Sequence, residues 1–364
     1  MEDILNNQEL IVGGKLSNWA IKEINELVEQ GYIRKVIQYG LTLYNYTEKC
    51  QYEKKWNPIT LMCRGLIVDQ DNKIVARPFD KFFNYEEVKD TFNFNQKFKT
   101  YEKLDGSLGI VYFTRDYNES DDYTAPRVNI ATRGSFNSDQ AVYAKDKLFE
   151  SYTLNLRNLK LDYTYLFEII YPANRIVLDY KQEERLVMLG ARNNATGEEL
   201  DLDTISWSDK AKEFKFDNIQ DILDHIKESE ELIEGFVLKF EDGTRIKIKT
   251  ADYLELHKQK SGINPLGIWE KLKNDKLSVE DYPDEFHEEI KRVEKNLTDK
   301  FTALENSLNL EYETVREIED DKEFALAVAN SDNKGLLFLI RKDKLQKAKE
   351  LIWDKIRPNN NIID

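Results

Sequence analysis

The sequence predicts an α+β domain of antiparallel sheets flanked by helices, followed by a small all-helical domain. Short β-type runs separated by turn residues dominate the chain up to about residue 255. Between Asp284 and Arg357 there is no proline, and Gly335 is the only glycine. Because 364 residues exceed what one ordinary core accommodates, we expect an N-terminal domain over residues 1–255 and a helical domain over residues 256–364.

Turn residues and alternating patterns locate the elements of the N-terminal domain. The stretch 65–79 predicts two strands around Asp71-Asn72, and 234–250 predicts a hairpin turning at Asp242-Gly243. Further strands are expected over residues 107–113, 127–132, 164–170, 175–180 and 185–192. Helical apolar spacing predicts one helix over 16–30, ended by Gly31, and another over 139–152, with Ser138 as its N-cap.

The C-terminal third is predicted to be helical because apolar residues recur there every three or four positions. They form one stripe, which consists of Ile290, Val293, Leu297, Phe301, Leu304 and Leu308. The runs FALAVA (324–329) and GLLFLIRKDKLQKAKELIWDKI (335–356) predict more helix. The basic run 341–349 is either a solvated helix face or an RNA contact.

Composition excludes several classes of protein. A formal charge of −15 argues against nonspecific coating of nucleic acid, although it permits a local basic cleft. Two cysteines and three scattered histidines exclude a disulfide framework and disfavour a structural zinc site. The first ten residues lack the pattern of a secretory signal, and no apolar stretch approaches membrane-spanning length. We therefore expect a soluble protein of the cytoplasm.

Chemistry-bearing residues begin with Lys103, which precedes an Asp105-Gly106 turn signal and an alternating strand-like run. It is either a surface lysine beside an ordinary turn or an amine aimed inward as a nucleophile. Glu168 interrupts the apolar run 165–170, so it either faces outward from a strand or points into a wet or metal-bearing cleft. Glu234, directly before a strand, is either a loop acid or a second acid of that cleft.

Cations alternate along the return strand of the predicted hairpin. Arg245, Lys247 and Lys249 are separated by Ile246 and Ile248, which places the three cations on one face. That face is either solvated or lines an anion-binding cleft. Jointly, a lysine nucleophile, two acids suited to Mg²⁺ and a pair of lysines fit for phosphates predict nucleotidyl transfer from a nucleoside triphosphate. No GxxxxGK[ST] run occurs, so a P-loop enzyme is excluded.

The motifs, taken in order, resemble the ATP-dependent RNA ligase 1 family of tailed bacteriophages, within the covalent nucleotidyltransferase superfamily. KLDGSL (103–108) is similar to that family's nucleophile motif, and FEIIYPANRIVLDY (167–180) to its third motif and the segment that follows. EGFV (234–237) and KIKTADYLELH (247–257) resemble the fourth and fifth motifs. The likeness, running over roughly residues 40–257, also includes CRGLI (63–67), ARPFDKFFN (76–84) and TRGSFNSDQA (132–141).

The resemblance implies a role for each matching residue. Lys103 would become lysyl-AMP, whereas Asp105, Glu168 and Glu234 would hold the waters of a catalytic Mg²⁺, for which Mn²⁺ could substitute. Lys247 and Lys249 would contact the ATP phosphates, with Arg64 and Lys81 assisting. The remaining nucleotide contacts would come from Phe83, Tyr253 and Arg133, which stands where the family tends to carry a lysine. Either Tyr44 or Tyr46 would serve as the family's upstream tyrosine.

Two features distinguish this subfamily from DNA ligases and capping enzymes. Those enzymes usually carry an arginine at the position of Leu108, and they need a β-barrel domain where this chain predicts helix. The resemblance implies an RNA ligase that seals 5′-phosphate and 3′-hydroxyl ends, with nicked tRNA as the implied substrate and the helical domain selecting it. Nothing in the sequence implies an oligomer, so we expect a monomer. The rival interpretations are a capping-type guanylyltransferase, a DNA ligase and a noncatalytic RNA-binding relative.

Overall fold

The chain divides into two compact units, Met1–Leu256 and His257–Asp364. We describe a computed structural model over residues 9–114, 126–174, 176–229, 231–279, 282 and 286–358. Within these residues, no helix combines the length and the apolar character needed to cross a bilayer.

The strands lie in the first unit, and helices connect and flank them. In chain order the strands are β1 Ile11–Val12, β2 Lys15–Leu16, β3 Ile33–Gln38, β4 Leu41–Tyr46, β5 Arg64–Val68, β6 Ile74–Ala76, β7 Phe83–Asn84, β8 Phe98–Lys103, β9 Ser107–Thr114, β10 Arg127–Thr132, β11 Tyr163–Ile170, β12 Arg185–Asn193, β13 Glu213–Phe214, β14 Gly235–Phe240 and β15 Arg245–Lys249. The helices are α1 Asn18–Glu29, α2 Glu48–Tyr52, α3 Pro58–Met62, α4 Tyr85–Val88, α5 Asp139–Ser151, α6 Thr153–Leu156, α7 Ile219–Glu228 and α8 Ala251–Lys260.

Three larger sheets organise this unit, besides the small pair β1–β2. The first sheet has the order β3-β4-β5-β6, the second β10-β9-β11-β12 and the third β13-β8-β14-β15-β7. Neighbouring strands are antiparallel except for β15 and β7, which run parallel. The mixture of antiparallel sheets and flanking helices confirms the predicted α+β class.

Apolar side chains pack the sheets against helices and against each other. Helix α1 covers the first sheet with Ala20, Ile24 and Leu27, as its predicted spacing requires. The first and second sheets share a core that includes Leu43 and Leu166. The third sheet packs Ile246 and other apolar residues against Ile222 of α7. The first and second sheets therefore carry apolar residues on both faces.

The predicted elements are present, with one exception. The strands predicted at 107–113, 127–132, 164–170 and 185–192 appear as β9, β10, β11 and β12, and both predicted helices form. The strand predicted over 175–180 is wrong: residues 176–180 form bends and irregular backbone, and Arg175 lies outside the described residues. The reason is a side chain from elsewhere, since the Asp105 carboxylate accepts the N–H groups of Val177 and Leu178 at 2.7 Å each.

The second unit is helical over its described residues. Its helices are α9 Pro265–Lys273, α10 His287–Glu313, α11 Asp321–Ala327, α12 Lys334–Arg341 and α13 Leu345–Lys355. Helix α10 buries Ile290, Val293, Leu297, Phe301 and Leu308, which are members of the predicted apolar stripe. The basic run 341–349 spans the end of α12 and the start of α13, where Arg341 donates to the carbonyls of Ile318 and Glu319.

Candidate active site

Lys103 is the last residue of β8, an interior strand of the third sheet. Its backbone partner on β14 is Gly235, which in turn lies opposite Lys249 of β15. Three strands therefore align Lys103, Gly235 and Lys249 in one row, with Glu234 immediately before the central glycine. This register brings together a lysine and an acid 131 positions apart in the sequence.

Glu234 is the anionic centre of this row. Its Oε1 lies 2.7 Å from Lys103 Nζ and 3.4 Å from Lys249 Nζ. The side chain is 3% exposed, and its Oε2 atom is buried without a hydrogen-bond partner. A buried, unpartnered carboxylate oxygen beside two cations is costly unless a ligand completes it. Glu234 is therefore not a solvated loop acid.

Gly235 permits this close arrangement of β14 and β15. Its φ is +143°, and a Cβ at this position would lie 1.9 Å from the carbonyl oxygen of Ile248. No L-residue fits such a contact without moving the strand. The glycine after Glu234 thus sets the spacing on which the contact between Glu234 and Lys249 depends.

The Asp105-Gly106 pair does not close a hairpin. Strands β8 and β9 on either side of it belong to the third and the second sheet, so Leu104–Gly106 crosses between sheets. Gly106 is needed for close approach, because a Cβ there would lie 2.6 Å from the carbonyl oxygen of Ile169. This crossing places Lys103 beside Glu168 of β11.

Asp105 is buried and fully occupied by protein groups. Besides the N–H groups of Val177 and Leu178 on Oδ2, its Oδ1 accepts the hydroxyl of Tyr253 at 2.7 Å. The backbone N–H of Asp105 donates to the Tyr180 hydroxyl at 2.9 Å. Tyr253 is itself 1% exposed and packs in the core against Val177 and Leu178. In this structure both residues hold the segment 103–106 in place, and their predicted metal and nucleotide contacts stay predictions.

Glu168 points into a cavity, as the second of its two interpretations requires. The pKa of Glu168 is raised from 4.5 to about 8. Desolvation is the largest cause; Lys103 and Arg64 lower the pKa, and Glu234 and Asp105 raise it. Positive charge added next to this carboxyl group would stabilise its ionised form. The electrostatics therefore favour a cation or a cationic ligand group at this point.

The cavity has a volume of about 460 Å³ and lies where the first, second and third sheets meet. Its walls include, besides Lys103 and Glu168, the residues Arg64, Arg133, Phe79, Phe82, Thr132 and Gln140. A volume in this range suits a nucleotide-sized ligand. Apolar rings and a few converging charges are the usual composition of such a site.

Two arginines face this cavity. The Arg64 guanidinium carbon lies 5.1 Å from the centre of the Phe82 ring, and its Nη1 atom is buried without a partner. Burial, and the proximity of Arg133, lower the pKa of Arg64. Arg133 donates from Nη1 to the Tyr46 hydroxyl at 3.1 Å. Tyr46 thus contacts the site, whereas Tyr44 packs in the core of the first sheet.

Five of the predicted nucleotide contacts lie outside the walls of this cavity: Lys81, Phe83, Lys247, Lys249 and Tyr253. Lys81 sits over the rings of Trp56 and Phe83, at 5.5 and 5.0 Å from their centres. Phe83 pairs with Ile246 through the backbone, and it is Phe82 that lines the cavity. Lys247 occupies β15 opposite Asn84. In the segment DKFFN (80–84), the resemblance indicated Phe83, whereas the adjacent Phe82 lines the cavity.

The cationic face of β15 exists as predicted, but its members differ in function. Ile246 and Ile248 are 2% and 5% exposed and face the core. Arg245 is held by Glu199, with bonds of 2.7 and 2.6 Å, and stacks at 3.5 Å from the centre of the Phe79 ring. It therefore braces a wall of the cavity. The alternating pattern of the strand predicts which residues share the cationic face. No local sequence pattern predicts that Glu199 pairs with Arg245.

The acids of the site fit a magnesium ion held partly by water and substrate. Among the described residues, no three His, Cys, Asp or Glu side chains converge as a protein-only metal site. Magnesium is usually bound through one or two carboxylates plus phosphates and waters. The unpartnered Oε2 of Glu234 and the desolvated carboxyl of Glu168 supply that number of ligands.

Comparisons with known proteins show similarity to RNA ligases. Residues 62–261 match the family model described as RNA ligase. A putative bifunctional polynucleotide kinase/RNA ligase of Autographa californica nuclear polyhedrosis virus is 28% identical over 65% of this chain and 38% of its own length. The RNA ligase of Rhodothermus phage RM378 is 24% identical over 87% of this chain and 89% of its own.

Among solved structures, an archaeal ATP-dependent RNA ligase aligns with 89% of this chain and 77% of its own, at 12% identity and a TM-score of 0.45. The chain spans well under half the length of the baculovirus relative. The matched segment covers more than half of the chain and contains the row of Lys103, Glu234 and Lys249. The chain belongs to the RNA ligase 1 family of covalent nucleotidyltransferases.

Proposed function

We propose that this protein is an ATP-dependent RNA ligase that joins 5′-phosphate and 3′-hydroxyl RNA ends through a lysyl-AMP intermediate. The observation that carries the proposal is the position of Lys103. Its amine is part of the cavity wall, 2.7 Å from Glu234 and beside Glu168, where a triphosphate and a metal would meet. Family membership supports the same chemistry.

The reaction would proceed in three balanced transfers. First, Lys103 Nζ gives up a proton and attacks the α-phosphorus of ATP, so that a P–N bond forms, the α–β P–O bond breaks and pyrophosphate leaves. Next, an oxygen of the RNA 5′-phosphate attacks the lysyl-AMP phosphorus, and the P–N bond breaks as the lysine regains a proton. Finally, the RNA 3′-hydroxyl attacks that 5′-phosphorus, loses its proton and expels AMP.

The surrounding charges would provide most of the stabilisation of the transition state. Lys249, aligned with Lys103 two strands away, and Lys247 on the same face would contact the phosphates. Arg64 presents a buried Nη1 that lacks a protein partner, which suits a phosphate oxygen. Arg133, held by Tyr46, would add a second guanidinium. Lys81 and Phe83 would act indirectly, because both contact Trp56, whose ring packs against Tyr46.

Mg²⁺ would fit this site, where Glu168, Glu234 and waters would hold it. It would neutralise charge on the phosphates as pyrophosphate leaves. Asp105 would act through position, because its carboxylate fixes the loop at 177–178 and the Tyr253 side chain. We further propose nicked tRNA as substrate, the helical unit as its selector, a monomeric state and a cytoplasmic location.

The adduct itself is the decisive test. Incubation with Mg²⁺ and α-labelled ATP should label the protein, and Lys103→Ala should abolish the label. Lys99→Ala is the matched control, because Lys99 lies on the same strand β8 but pairs with Asp201 and Glu213 at the surface. An unlabelled wild-type protein would end the proposal. Preferential labelling by GTP, or sealing of nicked DNA but not RNA, would replace it with one of the rival enzymes.

A further inference from the structure

One wall of the cavity that Lys103 lines is a phenylalanine packed between two sheets. Phe79 lines this cavity and is 5% exposed. The guanidinium carbon of Arg245, on β15 of the third sheet, lies 3.5 Å from the centre of its ring. The tip of the ring faces Gly190, on β12 of the second sheet, where a Cβ would come within 2.7 Å of the Phe79 Cζ atom. The ring is therefore confined on more than one side.

The backbone on both sides of Phe79 is fixed as well. Arg192 donates from Nη1 to the carbonyl of Pro78 at 2.8 Å and to Asp80 Oδ1 at 2.9 Å. Because alternate residues of a strand share a face, Arg192 and Gly190 act on this segment from the same side of β12. Two arginines, one from each sheet, thus hold a single apolar side chain.

Arg245 is kept over the ring by a buried ion pair. Its side chain is 9% exposed and that of Glu199 is 12% exposed, and two hydrogen bonds of 2.7 and 2.6 Å join them. Lys239, opposite Arg245 on β14, also contacts Glu199 at 2.6 Å. Removing charged groups from water is costly, and apolar side chains of similar volume often stabilise a fold equally well. The cost of this arrangement is accounted for if the position of the Phe79 ring matters to a ligand.

The register of the third sheet places this ring away from the nucleophile. Lys103 is level with the first residue of β14. Val237, two positions further along β14, also lines the cavity. Arg245 is level with the fifth residue of β14, which is roughly 13 Å along the strand from the level of Lys103. Phe79, under the Arg245 guanidinium, therefore closes the end of the cavity that is remote from Lys103.

The two ends of the cavity differ in chemistry. Lys103 and Arg64 supply cations at one end, whereas Leu189 and Val237 accompany Phe79 with apolar side chains at the other. The phosphates of a bound nucleotide suit the cations, and a heterocyclic base suits the apolar end. In an adenine nucleotide the edge that carries the amino group is remote from the ribose. This edge would therefore face the wall formed by Phe79.

We propose that Phe79 determines base specificity in the proposed ATP site, because its ring closes the cavity against the amino edge of adenine. The inference rests on the proposed ligase function and deepens it. Arg192 and Arg245 are positioning residues, which act on the nucleotide only through Phe79. A base with a larger group on this edge is excluded by the ring, and a shorter side chain at position 79 opens space for it.

N6-benzyl-ATP tests this wall, because its extra ring extends from the amino edge of adenine. With Mg²⁺, the wild-type protein should form the lysyl adduct from ATP and only poorly from N6-benzyl-ATP. In Phe79→Ala the ratio of kcat/KM for N6-benzyl-ATP to that for ATP should rise about tenfold or more. Phe79→Leu, which retains more of the packing, should change the ratio in the same direction by a smaller factor. Partial unfolding lowers both rates together, so the ratio reports the shape of the cavity.

Phe113→Leu is the matched control, since Phe113 is half-buried on β9 and lies outside the walls of the cavity. It should leave the ratio at the wild-type value. Arg245→Met should raise the ratio about threefold through a less firmly held ring, and an unchanged ratio would overturn the positioning role of Arg245. A wild-type ratio in both Phe79 variants would overturn the specificity role of Phe79 and leave the ligase function intact. A wild-type protein that forms no lysyl-AMP would overturn the ligase function, and the base subsite with it.

Discussion

Glu168→Gln should stabilise the unliganded protein at alkaline pH. It should also abolish the catalytic role that we propose for this carboxylate. The pKa of Glu168 is raised from an ordinary 4.5 to about 8, chiefly by desolvation, with Glu234 and Asp105 adding to the effect. The folded state therefore holds this proton more tightly than the unfolded state does. Stability contributed by the protonated group is present below pH 4.5 and is lost as the pH rises to about 8.

The magnitude follows from the separation of those two values. At about 1.4 kcal/mol per pH unit, the interval corresponds to an upper limit of about 5 kcal/mol. Because the side chain is partly exposed to the cavity, solvent screening reduces this, and we expect about 2–3 kcal/mol. Glutamine has nearly the same shape and no charge, so it removes the penalty without leaving a void.

Urea denaturation of wild type and Glu168→Gln at a series of pH values from 4.5 to 9 measures this directly. The difference in the free energy of unfolding should be small near pH 5 and grow in favour of the glutamine variant up to about pH 8.5. Added Mg²⁺ should reduce the difference, because a bound cation favours the ionised carboxyl. Glu228→Gln, at an exposed position of α7, supplies the control. A difference that does not vary with pH would refute a desolvated, proton-retaining Glu168.

Two further predictions concern the residues that hold the site in place. Gly235→Ala should abolish lysyl-AMP formation and destabilise the fold by more than about 3 kcal/mol, because its Cβ would collide with the Ile248 carbonyl. The control Gly335→Ala, in open space on α12, should be neutral or stabilising. Equal effects of the two substitutions on stability would contradict this reasoning. Tyr253→Phe should cost about 1–3 kcal/mol in unfolding free energy, because Asp105 Oδ1 loses the tyrosine hydroxyl. Denaturation and adduct-formation rates check both variants, and a fully stable Tyr253→Phe protein would exclude that contact as a support.

Sequence patterns predicted the parts of the site that depend on local order. The period of two along 245–249 placed Ile246 and Ile248 in the core and the cations on the other face, because strand geometry alone determines which residues share a face. The same kind of pattern wrongly predicted a strand over residues 175–180. There the N–H groups that a strand would pair with a neighbour are taken by Asp105, more than 70 positions earlier. No local pattern reports that partner.

The choice between alternatives that the sequence left open also depended on distant partners. Tyr44 and Tyr46 occupy one short strand and cannot be ranked by pattern, but only Tyr46 reaches Arg133. Phe82 and Phe83 are adjacent, and Arg64 packs over Phe82. In each pair the functional assignment comes from an arginine supplied by another strand or loop, so it requires the assembled sheets.

The row of Lys103, Glu234 and Lys249 explains why the unliganded site can be held in a single arrangement. The buried Glu234 carboxylate contacts both ammonium groups, at 2.7 and 3.4 Å, so each of the three charged groups has an opposite charge beside it. Substrate binding must then exchange these contacts rather than create new ones. In the proposed reaction, phosphates would replace Glu234 as the partner of Lys249, and the released carboxylate, with its second oxygen already unpartnered, would become available to a metal ion. The same contacts that hold the site in the unliganded structure would thus couple the binding of the triphosphate to the release of Lys103 for attack.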